Sequence, residues 1–121
     1  MRGNPDHDVM EQVANVVKVD EELDLSTIAR WEHRVEAAGR RSRTVVLDLT
    51  SVPFIDSAGV RTLFRWALAA ESVGIELIVV APPDSPVRRL LEILELQAIA
   101  PVVDSCRKAV HACQGPGKPG P

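Results

Sequence analysis

Thr44 to Phe64 reads TVVLDLTSVPFIDSAGVRTLF, and a change of rhythm inside it decides the fold. Its first six residues, TVVLDL, are β-branched or apolar except for Asp48, the composition of a strand covered on both faces. After Ile55 the period changes. Val60, Leu63, Phe64, Ala67 and Leu68 fall at i, i+3, i+4, i+7 and i+8, one stripe of a helix that ends near Gly74. Between strand and helix lie Asp56, Ser57, Ala58 and Gly59: a carboxylate, a hydroxyl and two nearly bare positions.

Working outward, Val13 to Val19 (VANVVKV) reads as a strand, with a shorter one near Val9 before it. Leu25-Ser26-Thr27 offers hydroxyl caps to a helix whose Ile28, Trp31, Val35 and Ala38 share one face. Gly39 with Arg40, Arg41 and Arg43 suits that helix's C-terminus. Ile75 to Ala81 is a further strand, and Ser85-Pro86 supplies a cap and a first-turn proline for VRRLLEILEL. Ile99 to Val103 forms a last short strand, and Ser105 caps a final helix through Gln114. This alternation predicts a single α/β domain, a mostly parallel sheet of four to five strands with helices packed on it and right-handed crossovers. In such sheets the working site lies beyond the C-terminal strand ends, where Asp56 to Gly59 stand. Residues 1–8 are expected to be a loose N-terminus, 9–114 the domain, and 115–121 (GPGKPGP) a disordered tail.

Composition narrows the function. Of the 121 residues 45% are apolar but only 3% aromatic, so Val, Leu, Ile and Ala must build the core. A net charge of -3 gives no electrostatic reason for direct contact with nucleic acid or an acidic membrane. Met1 to Gln12 lacks the pattern of a signal peptide, and no apolar run is long enough to span a bilayer, so a cytoplasmic protein is expected. Cys106 and Cys113, if on one helix, stand about 10 Å apart along its axis, too far for a disulfide. A bridge between molecules stays open. With His111 alone nearby and no C-x2-C pattern, no metal site and no cofactor are expected.

Ser57, at a helix N-terminus, lies near unpaired backbone amides that favour negative charge. By spacing alone, Asp56 and Ser57 read first as a plain N-cap. A hydrolase elbow needs glycine two residues before its serine, and His7, His33 and His111 are not placed to act as base. No catalytic residue is assigned, and the chain is not expected to be an enzyme. A phospho-accepting receiver domain is a second candidate, since VVLDLTSVPFID is superficially similar to its aspartate-bearing strand. Glu21, Glu22 and Asp24 could supply its acids, but Lys118-Pro119 falls in the tail rather than after a strand.

Glu22-Leu23-Asp24 within VKVDEELDLSTI, followed by Asp56-Ser57-Ala58-Gly59, resembles the STAS domain and in particular the bacterial anti-sigma factor antagonists. The likeness runs from about Val13 to Val110 and includes SPVRRLLEILEL. It implies a switch in transcription regulation. An anti-sigma factor with kinase activity would phosphorylate Ser57, a serine phosphatase would remove the group, and the unphosphorylated chain would bind the anti-sigma factor and free a sigma factor. Asp24, Asp56, Ser57, Ala58, Gly59 and Arg61 would form the partner surface. Trp66, off the apolar stripe, is expected to pack at its boundary, and Arg65 to be solvated. Glu21 stands where the family usually has glycine, and the N-terminal strand region is short. The rival within the same fold is a STAS subunit of a transporter or lipid-trafficking complex, in which Asp56-Ser57 is only a cap.

Overall fold

The computed structural model describes residues 15–109. Its four strands, β1 (Asn15–Lys18), β2 (Thr44–Asp48), β3 (Glu76–Val80) and β4 (Val102–Val103), lie side by side in chain order, every pair parallel. The crossovers are α1 (Ile28–Arg41), α2 (Ser57–Ser72) and α3 (Pro86–Ile93), the last followed by a 3-10 turn at Leu96–Ala98. All three helices bury their apolar faces on one side of the sheet. Trp31, Leu63, Trp66, Val87 and Leu91 meet Val45, Leu47, Leu77 and Val79 there. Crossovers of one hand that always step the same way across a sheet must land on the same face.

The period of two along each strand sends Val46, Ile78 and Val80 to the opposite face, where Val16, Val103, Cys106 and Ala109 cover them. Residues 106–109 are helical. β2 is therefore buried on both sides, as its nearly continuous apolar run requires. The consecutive strand order also removes the receiver reading, because a receiver's first strand lies between its second and third.

Several expected elements shift. The buried face of α2 is Gly59, Thr62, Leu63, Trp66 and Ala67, one residue or about 100° from the stripe read by hydropathy. Leu68 is left 53% exposed. The rotation follows from Gly59, which alone can pass a neighbouring carbonyl, and from an acceptor for the Trp66 indole; both are set out below. Gly39 does not end α1, which runs on to Arg41 with Ser42 as C-cap. The last strand shrinks to Val102–Val103, because α3 stops at Ile93, Glu95 takes a left-handed turn (φ 60°) and the 3-10 turn follows. The end of α2 near Gly74 is as expected, with φ 79° at that glycine. The expected tail, Cys113, His111 and the segment before Asn15 lie outside the described residues.

Candidate functional site

Two segments some thirty residues apart in sequence meet at the C-terminal edge of the sheet. Leu23 forms an isolated parallel bridge with Ile55. Its amide donates to the Phe54 carbonyl (3.0 Å) and its carbonyl accepts from the Asp56 amide (3.3 Å). Both bridge side chains are buried, so burial of two aliphatic groups holds the Asp24 loop against the start of α2.

Asp56 adds a polar tie. As N-cap of α2 its Oδ1 accepts from the Gly59 amide at 2.8 Å, and its Oδ2 accepts from the Leu25 amide at 3.3 Å. One carboxylate thereby serves both segments. Asp56→Ala should cost about 1 kcal/mol from the cap alone, and Asp56→Asn, an equally good cap, should retain most of that. Thermal melts of the two variants, separated by roughly 5 °C, check this.

Asp24 is committed locally. Its Oδ1 accepts from the Ser26 amide (2.9 Å) and the Ser26 hydroxyl (2.7 Å). The hydroxyl bond is the main cause holding this carboxyl below its ordinary range, with desolvation opposing and backbone amides adding to it. Its carbonyl accepts from the Thr27 and Ile28 amides, which starts α1. Thr27 occupies the N-cap position, but its buried hydroxyl does not cap the helix. It donates to the Glu22 carbonyl (2.8 Å) and accepts from the Asp24 amide (3.1 Å), closing the loop on itself.

Ser57 is the first residue of α2 and is exposed, and its hydroxyl has no partner among the described residues. The amides of Ser57 and Ala58, at the first two helical positions, have no intrahelical acceptor and present positive potential. Ala58 is half-buried. Arg61 is exposed one turn further along the same side of the helix. Gly59 faces inward: a Cβ there would stand 2.3 Å from the Leu23 carbonyl oxygen and 2.8 Å from Ile55 Cγ1. Its part is to let helix and loop approach, beneath the surface rather than on it.

The sequence reading singled out neither Leu25 nor Phe54, yet these are 77% and 53% exposed and belong to the two joined segments. The signal was available: each is an apolar side chain in a loop beside one of the motifs. Glu21, in place of the family's glycine, also gains a role. Its Oε2 accepts from Trp31 Nε1 (2.7 Å) and pairs with Arg30, so it satisfies a buried indole. A second set repeats the pattern, in which Glu32 Oε2 accepts from Arg65 (2.6 Å) and from Trp66 Nε1 (3.2 Å). Trp66 is thus a buried packing residue, and Arg65 is paired rather than simply solvated.

The Arg65 hydrogen bond is the largest cause lowering the Glu32 carboxyl below its ordinary value; desolvation opposes it and the Trp66 indole adds to it. A carboxyl whose folded value is depressed stabilises the fold above its unfolded value, and that contribution disappears as pH falls through the folded value. In a Trp31→Phe background, Trp66 emission should therefore hold steady through the ordinary glutamate range and change only at lower pH. Glu32→Gln should abolish that acid phase while leaving the neutral-pH spectrum folded.

On the far side of the sheet, Asp48 is buried, with Oδ1 accepting from the Thr50 amide (2.9 Å) and Oδ2 lying 3.6 Å from Cys106 Sγ. Among the described residues no group of three or more His, Cys, Asp or Glu is arranged to hold a metal ion. No described helix is long and apolar enough to cross a membrane.

The site is thus an exposed serine opening α2 next to its capping Asp56, with the Asp24 loop tied to that cap, on a parallel sheet covered on both faces. The sequence model of the STAS domain matches residues 5–109, and the chain belongs to that family. Solved structures agree in fold. An anti-sigma factor antagonist from Mycobacterium paratuberculosis shares 25% identity, with TM-score 0.68 over 82% of this chain and 84% of that one. A sulfate transporter family protein from Wolinella succinogenes superposes with TM-score 0.69 at 18% identity, covering 83% of this chain and 84% of that one. The antagonist SpoIIAA in its unphosphorylated form gives 0.62 at 19% identity, over 83% of this chain and 88% of that one.

Proposed function

We propose that this chain is an anti-sigma factor antagonist: a binding module, not an enzyme, that docks an anti-sigma factor through the surface around Ser57 and is released when Ser57 is phosphorylated. The observation that carries the reading is the state of Ser57. Its hydroxyl is exposed and has no partner among the described residues, while the carboxylates of Asp56 and Asp24 are engaged with backbone amides and a serine hydroxyl. A kinase can reach that oxygen without unfolding anything. Exposed Leu25 and Phe54 add apolar area of the kind a docking partner buries, and Arg61 adds a cation for its acidic groups. The likeness to the Mycobacterium antagonist and to SpoIIAA supports the same reading. The partners are then an anti-sigma factor with kinase activity and a serine phosphatase.

The test is a pull-down from the native host with the unphosphorylated chain as bait, followed by incubation of the captured protein with ATP and intact-mass measurement. One added phosphoryl group on Ser57, absent from Ser57→Ala, is expected. Modification at exposed Ser51 or buried Thr62 instead would overturn the assignment. The transporter-subunit reading, favoured by the Wolinella likeness, predicts capture of a membrane protein and no phosphate.

A further inference from the structure

Opposite its buried face, α2 turns a second line of side chains outward. Ser57, Arg61, Phe64, Leu68 and Glu71 follow one another at spacings of four, three, four and three, so they share one side of the helix. Phe64 is half-buried and the others are exposed, Leu68 to 53%. We propose that this stripe packs antiparallel against its own copy in a second chain, and that negative charge on Ser57 opens the pair.

The stripe is complementary to itself. Arg61 and Glu71 stand equally far to either side of position 66, and so do Phe64 and Leu68. A twofold axis there brings Arg61 of each chain to Glu71 of the other, and Phe64 to Leu68. The alternating spacing is that of helices packed at a shallow angle. Parallel pairing would instead set Arg61 against Arg61 and Glu71 against Glu71, so charge selects the antiparallel arrangement. Both charges are available for it. Neither forms an ion pair among the described residues, and Arg43, which shares a recess with Glu71, is not paired with it. The remaining charged residue of α2, Arg65, is held by Glu32 of α1. On the same side of the sheet, Ile93 ends α3 and Leu94 follows it. At 67% and 41% exposed, they extend the apolar area a second chain can cover. A surface of this extent gives a weak, reversible dimer rather than an obligate one.

Ser57 controls the pairing through Arg61. A negative charge at residue 57 stands one turn before that cation, in the order that favours an ion pair within a helix. It takes Arg61 from Glu71 of the other chain and sets like charge near that carboxylate. Ser57 and Arg61 also belong to the anti-sigma factor surface, so self-pairing and docking exclude each other; this last consequence rests on the reading of Ser57 given above.

The test is sedimentation equilibrium of the purified chain from about 10 µM to 1 mM, the range of a weak association. The mean mass should climb toward that of a dimer. Leu68→Glu, at an exposed position, should weaken association about tenfold or more while melting with the parent. Arg61→Glu and Glu71→Arg should each weaken it about tenfold, because each places two like-charge contacts across the axis. Mixed in equal amounts, these two variants should associate about as tightly as the parent, since every contact in the mixed pair again joins Arg to Glu. Simple misfolding gives no such rescue. Ser57→Asp should weaken the dimer roughly threefold or more. A monomer mass throughout, a dimer indifferent to Leu68→Glu, a mixture no more associated than its components, or Ser57→Asp pairing as tightly as the parent would each overturn the proposal. The assay contains no anti-sigma factor. Dimerisation of a chain that captures no kinase removes the functional reading alone, and docking by a chain that stays monomeric removes this one alone.

Discussion

Gly59→Ala should destabilise the domain by about 3 kcal/mol, the upper part of the range for overpacking a tight core. Alanine is the better helix former, so propensity alone predicts the opposite sign. The geometry reverses it: the added methyl would lie 2.3 Å from the Leu23 carbonyl oxygen and 2.8 Å from Ile55 Cγ1. A backbone carbonyl cannot swing aside as a side chain can, so either α2 or the Asp24 loop must move. Movement of either pulls apart the Leu23–Ile55 bridge and the Asp56–Leu25 tie. Thermal unfolding should fall by roughly 15 °C. Partner affinity should fall with it even at temperatures where the variant stays folded, because the surface around Ser57 depends on that junction. An alanine variant that melts with the parent would remove this account of why the position is bare.

Ser57→Ala should bind the anti-sigma factor within a few-fold of the parent, whereas the Ser57-phosphorylated chain should bind about a hundredfold more weakly. Phosphorylation adds roughly -1.5 to -2 charges at neutral pH. One partner carboxylate about 6 Å away is then repelled by roughly 3 kcal/mol at an effective dielectric near 20. Since about 1.4 kcal/mol is a factor of ten, a single such contact suffices. The unpaired amides of Ser57 and Ala58 stabilise the phosphate by about 0.3 to 2 kcal/mol, but in free and bound protein alike, so they cannot rescue the complex. Ser57→Asp carries only one charge on a shorter side chain and should lose about tenfold or more. Calorimetric titration of parent, alanine, aspartate and phosphorylated forms measures the series. Equal affinity for the alanine and aspartate variants would sink the switch.

Much of the architecture was legible in the residues, and the exceptions share a cause. β2 and β3 were plain because apolar runs of five or six cannot be solvated on either face. The start of α3 was plain because Ser85 both precedes a proline and accepts from the Arg88 amide (3.1 Å). The exposed place of Ser57 at the opening of α2 also followed from local pattern. What local pattern lacked was a distant partner. The inward turn of Trp66 depends on Glu32, thirty-four residues earlier. The bareness of Gly59 depends on a carbonyl at residue 23. The helical place of Gly39 is set beside Ile75, whose Cδ1 would lie 3.1 Å from a Cβ there. Glu21 looked like an intrusion into a turn until Trp31 was seen to need an acceptor.

The one-sided stacking of the three crossovers has a consequence for synthesis. Val46, Ile78 and Val80 are covered by Cys106 and Ala109, which emerge from the ribosome after everything they shield. A nascent chain halted before them carries a greasy, unprotected sheet surface that is a ready target for chaperones. Premature termination just upstream of Cys106 should therefore yield aggregates rather than a smaller working protein.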